Sequence, residues 1–197
     1  VTQFLRKEME AQNIKMEFAL GGIVKPMVDM LKDGYINKIA DTQDFDIASV
    51  ESVNTTPNHY EISTSEYANP LNKGAYVNKL DYVILGALEI DVDFNVNVVV
   101  GSDGTIQGAP GGHVDTSAGA KCTIIVSPLI RGRLATVRDS VTSVTTPGES
   151  VDILVTEYGV AVNPNRPDIL ESLKKTDLPL KTIAELRDFA YDIVGAP

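Results

Sequence analysis

The 197-residue chain is 43% apolar, enough for a real core in one large domain or two small ones. Its 27 acidic against 17 basic residues leave a net charge of −10, which argues against a nucleic-acid ligand but permits an anionic small ligand, because fields fade over about 8 Å at physiological salt. No apolar run approaches the roughly 20 residues that span a bilayer, and one cysteine, Cys122, excludes an internal disulfide and fits a reducing, cytoplasmic compartment.

The chain starts Val1-Thr2-Gln3-Phe4-Leu5-Arg6, with neither an initiator Met nor a signal-peptide pattern, and is expected to be a piece of something longer. Phe4 to Gln12 reads as the end of a helix with Phe4, Leu5 and Met9 on one side. Lys15 to Leu20 is a short apolar run ending at Gly21-Gly22. Pro26 then opens a helix that Gly34 stops. Ile36 to Ala40 reads as a strand, Asp44 to Val53 as a helix capped by Asp44 or Asp46, and His59 to Ser63 as a third strand. This alternation of strand and helix predicts an open, mostly parallel α/β sheet flanked by helices.

Asn69 to Gly74 is loop chemistry, with Lys73 near its end. Tyr82-Val83-Ile84-Leu85 reads as a strand buried on both faces. From Glu89 to Val98 the residues alternate strictly: Glu89, Asp91, Asp93, Asn95 and Asn97 on one side of an extended chain, Ile90, Val92, Phe94, Val96 and Val98 on the other. Three carboxylates on one face repel each other, so this strand is either an exposed edge or a site with a carboxylate as its working group. Gly101-Ser102-Asp103-Gly104 predicts a hairpin, and Gly108 to His113 a glycine-rich loop whose N–H groups can face an anion.

Cys122 to Ser127 reads as a buried strand in which the thiol is a small core residue. Arg131, Arg133 and Arg138 form the densest positive cluster, either a solvated loop or a receiver of phosphate or carboxylate. Val151 to Thr156 and Val160 to Val162 read as strands, and Asp168 to Lys174 as a helix. Thr182 to Val194 reads as a helix opened by a Thr182/Glu185 capping box, with Ile183, Leu186, Phe189, Ala190 and Ile193 as its apolar stripe.

Several chemistries are absent. Asp91-Val-Asp93-Phe-Asn95 opens like a calcium loop but has Val96 and Ser102 where glycine and glutamate are needed. Neither His59 nor His113 has a histidine or cysteine at metal-ligand spacing, so no metal site is expected. There is no G-x-S-x-G and no phosphate-binding Gly-Lys-Ser/Thr.

Three motifs converge. Gly86-Ala-Leu-Glu89-Ile-Asp91, Gly111-Gly112-His113-Val-Asp115 and Val155-Thr-Glu-Tyr-Gly-Val-Ala161 together resemble the family I coenzyme A transferases. Residues 61–81 and 87–114 are closer still to one branch, the alpha-subunit family of citrate lyase, and the similarity runs over essentially all 197 residues. The resemblance implies a NagB/RpiA/CoA transferase-like fold with a β-hairpin near the active site, residues 1–197 being one domain and the second of two similar halves.

It implies that Glu89 attacks an acyl thioester, forming an acyl-glutamyl anhydride and then a glutamyl thioester. Citrate would replace acetate on an acyl carrier protein bearing a dephospho-coenzyme A-derived arm, or on coenzyme A itself, with no permanently bound cofactor. The implied partners are the N-terminal half, the beta subunit and the acyl carrier (gamma) subunit in an oligomer. Gly111, Gly112, His113, Asn95, Asn97 and Lys73 are the expected contacts to substrate or carrier. His113 stands where the broader branch has glutamine. The alternatives are an acetyl-CoA hydrolase or butyrate-type transferase, and an isolated domain that folds but is inactive.

Overall fold

Residues 1–196 are described by a computed structural model, and the chain divides into two units, Val1–Lys79 and Leu80 onward. In the first, α1 (Thr2–Gln12) is followed by β1 (Ala19–Ile23), α2 (Lys25–Lys32), β2 (Ile39–Asp44), α3 (Ile47–Thr55), β3 (His59–Glu61) and α4 (Thr64–Ala68). The strands form one parallel sheet in the order β1-β2-β3. Met9, Ile23, Val28, Met30, Ile36 and Ile39 make its core.

The glycine pair does not end the first strand. β1 runs through Gly21 and Gly22, and the ladder slips between them, with Gly21 at φ 95°. A Cβ on Gly22 would lie 2.1 Å from the Phe45 ring, so these glycines make a bulge against an aromatic side chain. Asp46, rather than Asp44, caps α3: its Oδ1 accepts from Ser49 N–H at 2.9 Å.

The second unit contains β4 (Tyr82–Leu85), β5 (Glu89–Asp91), β6 (Val96–Asn97), α5 (His113–Gly119), β7 (Cys122–Val126), β8 (Ile130–Arg131), β9 (Leu134–Ala135), β10 (Val137–Arg138), β11 (Ile153–Thr156), β12 (Gly159–Val162), α6 (Pro167–Leu173) and α7 (Ile183–Val194). A four-stranded sheet has the order β12-β11-β7-β4, parallel except for β11 with β12. A second sheet, β10-β5-β6, pairs β10 parallel and β6 antiparallel to β5. β8 and β9 form a separate hairpin. The fold is thus α/β with mostly parallel strands flanked by helices. Ile90, Phe94, Val96, Ile125, Leu154 and Leu186 centre the core of this unit.

The alternating segment departs most from its sequence reading. It is a hairpin, β5 turning at residues 92–95 into β6, and not one extended strand. Asp91 makes the turn: its Oδ1 accepts from the N–H groups of Asp93 and Asn95, both at 3.0 Å, and its Oδ2 accepts from Asn95 Nδ2 at 3.2 Å. Phe94 takes φ 65° and is 1% exposed, its ring buried in the core.

β4 is an edge strand with Tyr82 and Ile84 exposed, where burial on both faces was expected. On α7 the Thr182/Glu185 capping box forms and Ile183, Leu186 and Ala190 are buried, but Phe189 and Ile193 are exposed. Cys122 is buried on β7, and burial pushes its thiol pKa up. The 101–104 turn closes with Gly101 N–H donating to Thr105 O at 2.8 Å.

A second close approach locks the 92–95 turn. Gly148 N–H donates to Asn95 Oδ1 at 3.0 Å, its carbonyl accepts from Asn163 Nδ2 at 2.9 Å, and a Cβ there would lie 1.9 Å from the Asp93 carbonyl oxygen. Gly148→Ala is therefore expected to destabilise the chain by about 1–3 kcal/mol. A lowered urea midpoint at unchanged slope would show it; an unshifted midpoint would mean that the turn yields freely.

Candidate functional site

Strand alternation sends Ile90 into the core and Glu89 to the opposite side, where it borders a cavity of about 770 Å³. That volume lies within the usual range for a small-molecule site. The walls carry Arg131, Arg133, Thr136, Arg138, Ser102 and Gln107, so three guanidinium groups face one space in a chain that is acidic overall. Thr136 is 1% exposed, and among the described residues its hydroxyl oxygen has no hydrogen-bond partner.

Glu89 is 5% exposed, and its carboxylate takes four donors. Oε2 accepts from Asn97 Nδ2 and from Thr142 N–H, each at 2.8 Å. Oε1 accepts from Thr142 Oγ1 at 3.1 Å and from Arg138 Nη1. Burial by itself would raise the carboxyl pKa. The Thr142 N–H, Asn97, the Thr142 hydroxyl and Arg138 outweigh it, so Glu89 titrates below the usual carboxylate range and is ionised at neutral pH. A carboxylate has about four lone-pair sites, and four donors fill them.

The hairpin supplies one of those donors directly. Glu89 pairs with Asn97 across β5 and β6, which puts both side chains on one face. Asn97 is held in turn by Val99 and Val100 N–H groups on its Oδ1, both at 3.0 Å, and it also donates to Val100 O at 2.7 Å. The loop before Glu89 is anchored too. Gly86 O accepts from His113 Nε2 at 2.9 Å, and Ala87 O accepts from Arg131 Nη2 at 2.7 Å and from Ser127 Oγ at 3.2 Å.

A carbonyl only accepts, so His113 carries its proton on Nε2. Its Nδ1 then accepts from Thr146 Oγ1 at 2.7 Å. Burial lowers the His113 pKa and keeps the ring neutral. His113 therefore braces the Glu89 loop, and both ring nitrogens face protein. Gly111, at φ 50°, precedes Gly112, at φ −87°, in the loop that enters α5, and the His113 N–H donates to Pro110 O at 2.9 Å.

Glu89 alone of the expected site residues lines the cavity. Asn97 touches it through the Glu89 carboxylate, while Asn95 holds the turn. Gly111, Gly112 and His113 lie off the cavity wall, joined to the Glu89 segment through Gly86. Lys73 is exposed in the loop of the first unit. The arginine cluster, a surface loop by one reading, faces the cavity, and Arg138 reaches the acid itself. Thr142 and Thr136 carried no sequence signal, being single threonines in segments without a motif. Asp91, a feared source of repulsion, is occupied by its turn and by Val141 N–H at 3.3 Å.

Comparison with known proteins points one way. A family model described as citrate lyase, alpha subunit, matches residues 1–197. The citrate lyase alpha chain of Haemophilus influenzae is 56% identical over 197 residues, and that of Klebsiella pneumoniae 50%. In both cases all of this chain is matched against 39% of the relative's length. A crystal structure of the alpha subunit of citrate lyase from Streptococcus mutans, in complex with citrate, superimposes with a TM-score of 0.97 at 52% identity, covering 100% of this chain and 39% of that one. The chain thus spans about two fifths of the relatives it matches.

The depressed Glu89 pKa has a sign that can be measured. Its stabilisation is complete above the unfolded carboxyl value, about 4.3, and is lost as the pH falls through the lower folded value. Arg138→Met is expected to raise the Glu89 pKa, to weaken that acid loss and to lower stability at neutral pH by about 1–3 kcal/mol. A carboxyl-resolved NMR titration with urea melts across the acid range measures all three. An unmoved Glu89 titration would mean that Arg138 contributes nothing to holding the charge.

Proposed function

The chain belongs to the alpha-subunit family of citrate lyase, and from that premise we propose that it carries the acyl-accepting carboxylate of a citrate coenzyme A-type transferase. Glu89 is the nucleophile. One of its oxygens attacks the carbonyl of an acetyl thioester, the C–S bond breaks, and thiolate and an acetyl-glutamyl anhydride result. The thiolate returns to the glutamyl carbonyl and releases acetate, leaving a glutamyl thioester. Citrate repeats the sequence in reverse: its carboxylate displaces the thiolate, which then attacks the citryl carbonyl and frees Glu89. Electrons balance at every step, and no proton need move.

The observation that carries this reading is an ionised, nearly buried carboxylate on the wall of an arginine-lined cavity. Ionisation is needed because the carboxylate, not the acid, attacks. Water must be kept from the anhydride, and the near-complete burial of Glu89 serves that. The four donors position the group, and orientation of this kind can supply about 7–11 kcal/mol of a barrier. They also fill its lone pairs, so one must leave before attack.

Arg138 is the donor to leave. It is charged, it lines the cavity, and a substrate carboxylate or a developing oxyanion offers its guanidinium an equivalent partner. Arg131 and Arg133 can hold further carboxylates of citrate, consistent with the citrate found in the Streptococcus mutans structure. The carrier is a coenzyme A-like arm, on coenzyme A or on an acyl carrier subunit in a reducing, cytoplasmic compartment, with the rest of the alpha subunit and a beta subunit completing the assembly. Residues 1–197 act as one transferase domain, in which the 111–112 turn contacts the carrier. His113 contributes indirectly, by holding the loop in front of Glu89.

In the full-length subunit, Glu89→Gln is expected to lower acetate–citrate exchange by more than about a thousandfold. Glu89→Asp, which withdraws the carboxylate by one methylene, should lower it by about a hundredfold. Retained turnover in a folded Glu89→Gln subunit would remove Glu89 from the mechanism. Hydroxylamine or borohydride trapping with acetyl-CoA, followed by mass mapping, should place the modification on the peptide containing Glu89. The 197 residues alone are expected to fold and show little exchange; measurable citrate-dependent turnover by that fragment would refute the need for the other half.

A further inference from the structure

The first unit holds a cluster that the transferase chemistry does not use. Asp41 lies within β2, Asp44 at its end and His59 at the start of the neighbouring β3. One ligand atom from each lies within 4.8 Å of the others. His59 is 4% exposed with its ring fully covered. Its Nδ1 is 2.9 Å from Ser52 Oγ on α3. Among the described residues, its Nε2 is buried without a hydrogen-bond partner, and so is Asp44 Oδ1. Buried polar atoms left unpaired in one small space call for a ligand.

Spacing says what kind. Asp41 Oδ1 accepts from Gln43 N–H at 2.7 Å, which leaves Oδ2 turned towards His59, 3.6 Å from Nε2. That is too long for a hydrogen bond. It is close to the separation, about 3.4 Å, of two ligands bound tetrahedrally to one ion at about 2.1 Å. A cleft of about 250 Å³, walled by Asp41, Asp44, Asn54 and Glu61, opens beside the cluster and leaves room for water on the remaining coordination positions.

We propose that His59 Nε2, Asp41 Oδ2 and Asp44 Oδ1 bind one divalent transition-metal ion. One imidazole with two carboxylates suits zinc, manganese or iron better than magnesium or calcium, which take oxygen ligands alone. Ser52 then acts on the far side of the ring, accepting the Nδ1 proton so that Nε2 presents its lone pair, the arrangement ligating histidines commonly show. The ion clamps β2 to β3. Sequence spacing hides the site, because its ligands sit three and fifteen residues apart on neighbouring strands and include one histidine only. It shares no residue with the Glu89 cavity and does not rest on the transferase assignment.

The test uses the full 197-residue chain, stripped with chelator and titrated with Zn²⁺ and, for a visible signal, Co²⁺. One equivalent should bind, with d–d absorption for Co²⁺ and a melting temperature that climbs with Zn²⁺ but not with Mg²⁺. Asp44→Asn and His59→Gln should each weaken binding by at least about tenfold, and Ser52→Ala by about 10–100-fold. Asp44 is only half-buried, so its variant keeps the test open if His59→Gln does not fold. Absence of saturable binding, undiminished affinity in Asp44→Asn, or equal displacement of Co²⁺ by Mg²⁺ would each overturn the proposal. So would stabilisation by acid in the absence of metal response, which would assign the space to a proton shared between the carboxylates.

Discussion

A charged carboxylate can be buried only where the protein replaces the water it loses, and at Glu89 the replacement comes from three separate segments. Asn97 is the cross-strand neighbour, Arg138 stands on β10, and Thr142 follows in the next loop. None of the three reaches the acid unless the hairpin and the parallel pairing of β10 with β5 are both formed. The acid and the small sheet around it are therefore a single arrangement. Losing a donor leaves a buried charge short of a partner, a penalty of a few kcal/mol, whereas the same loss on an exposed acid is minor.

Charge is arranged locally against the sign of the whole. The chain carries −10, yet the space beside Glu89 is bordered by three arginines. Two of them also have architectural work: Arg138 on the acid and Arg131 on the Ala87 carbonyl. Guanidinium groups tied down in this way are pre-organised for planar anions such as carboxylates, and little side-chain freedom is left to lose on binding. The overall negative charge does not oppose an anionic ligand there, since distant surface acids are screened by salt and the arginines are not.

Much of the architecture was legible in the residues. Strand–helix alternation gave the α/β class, Thr182 and Glu185 gave the start of α7, and the alternating segment marked a carboxylate-rich stretch without choosing among its acids. What could not be read was which polar residues turn inward. Glu89, Asp91 and Asp93 look equivalent by period, but Asp91 closes a turn through backbone N–H groups while Glu89 collects side chains from 49 and 53 residues away. Phe94 adopts a left-handed backbone that its residue type disfavours, so propensity argued for an unbroken strand. Edge position explains β4 in the same way: an apolar run says that a strand forms, not where in the sheet it sits. The arginines were visible as a cluster, and only the return of β10 beside β5 aims them at the acid.

The turn at residues 92–95 bears on how such a sequence can drift. Side chains in a ladder swap faces with every one-residue slip. Gaining or losing one residue in that turn would rotate Asn97 to the far side and bring an apolar neighbour opposite the acid. A substitution at the exposed Asp93 can be absorbed, whereas an indel anywhere in the turn cannot. Among descendants that keep Glu89 buried against Asn97, the length of this stretch should therefore stay constant.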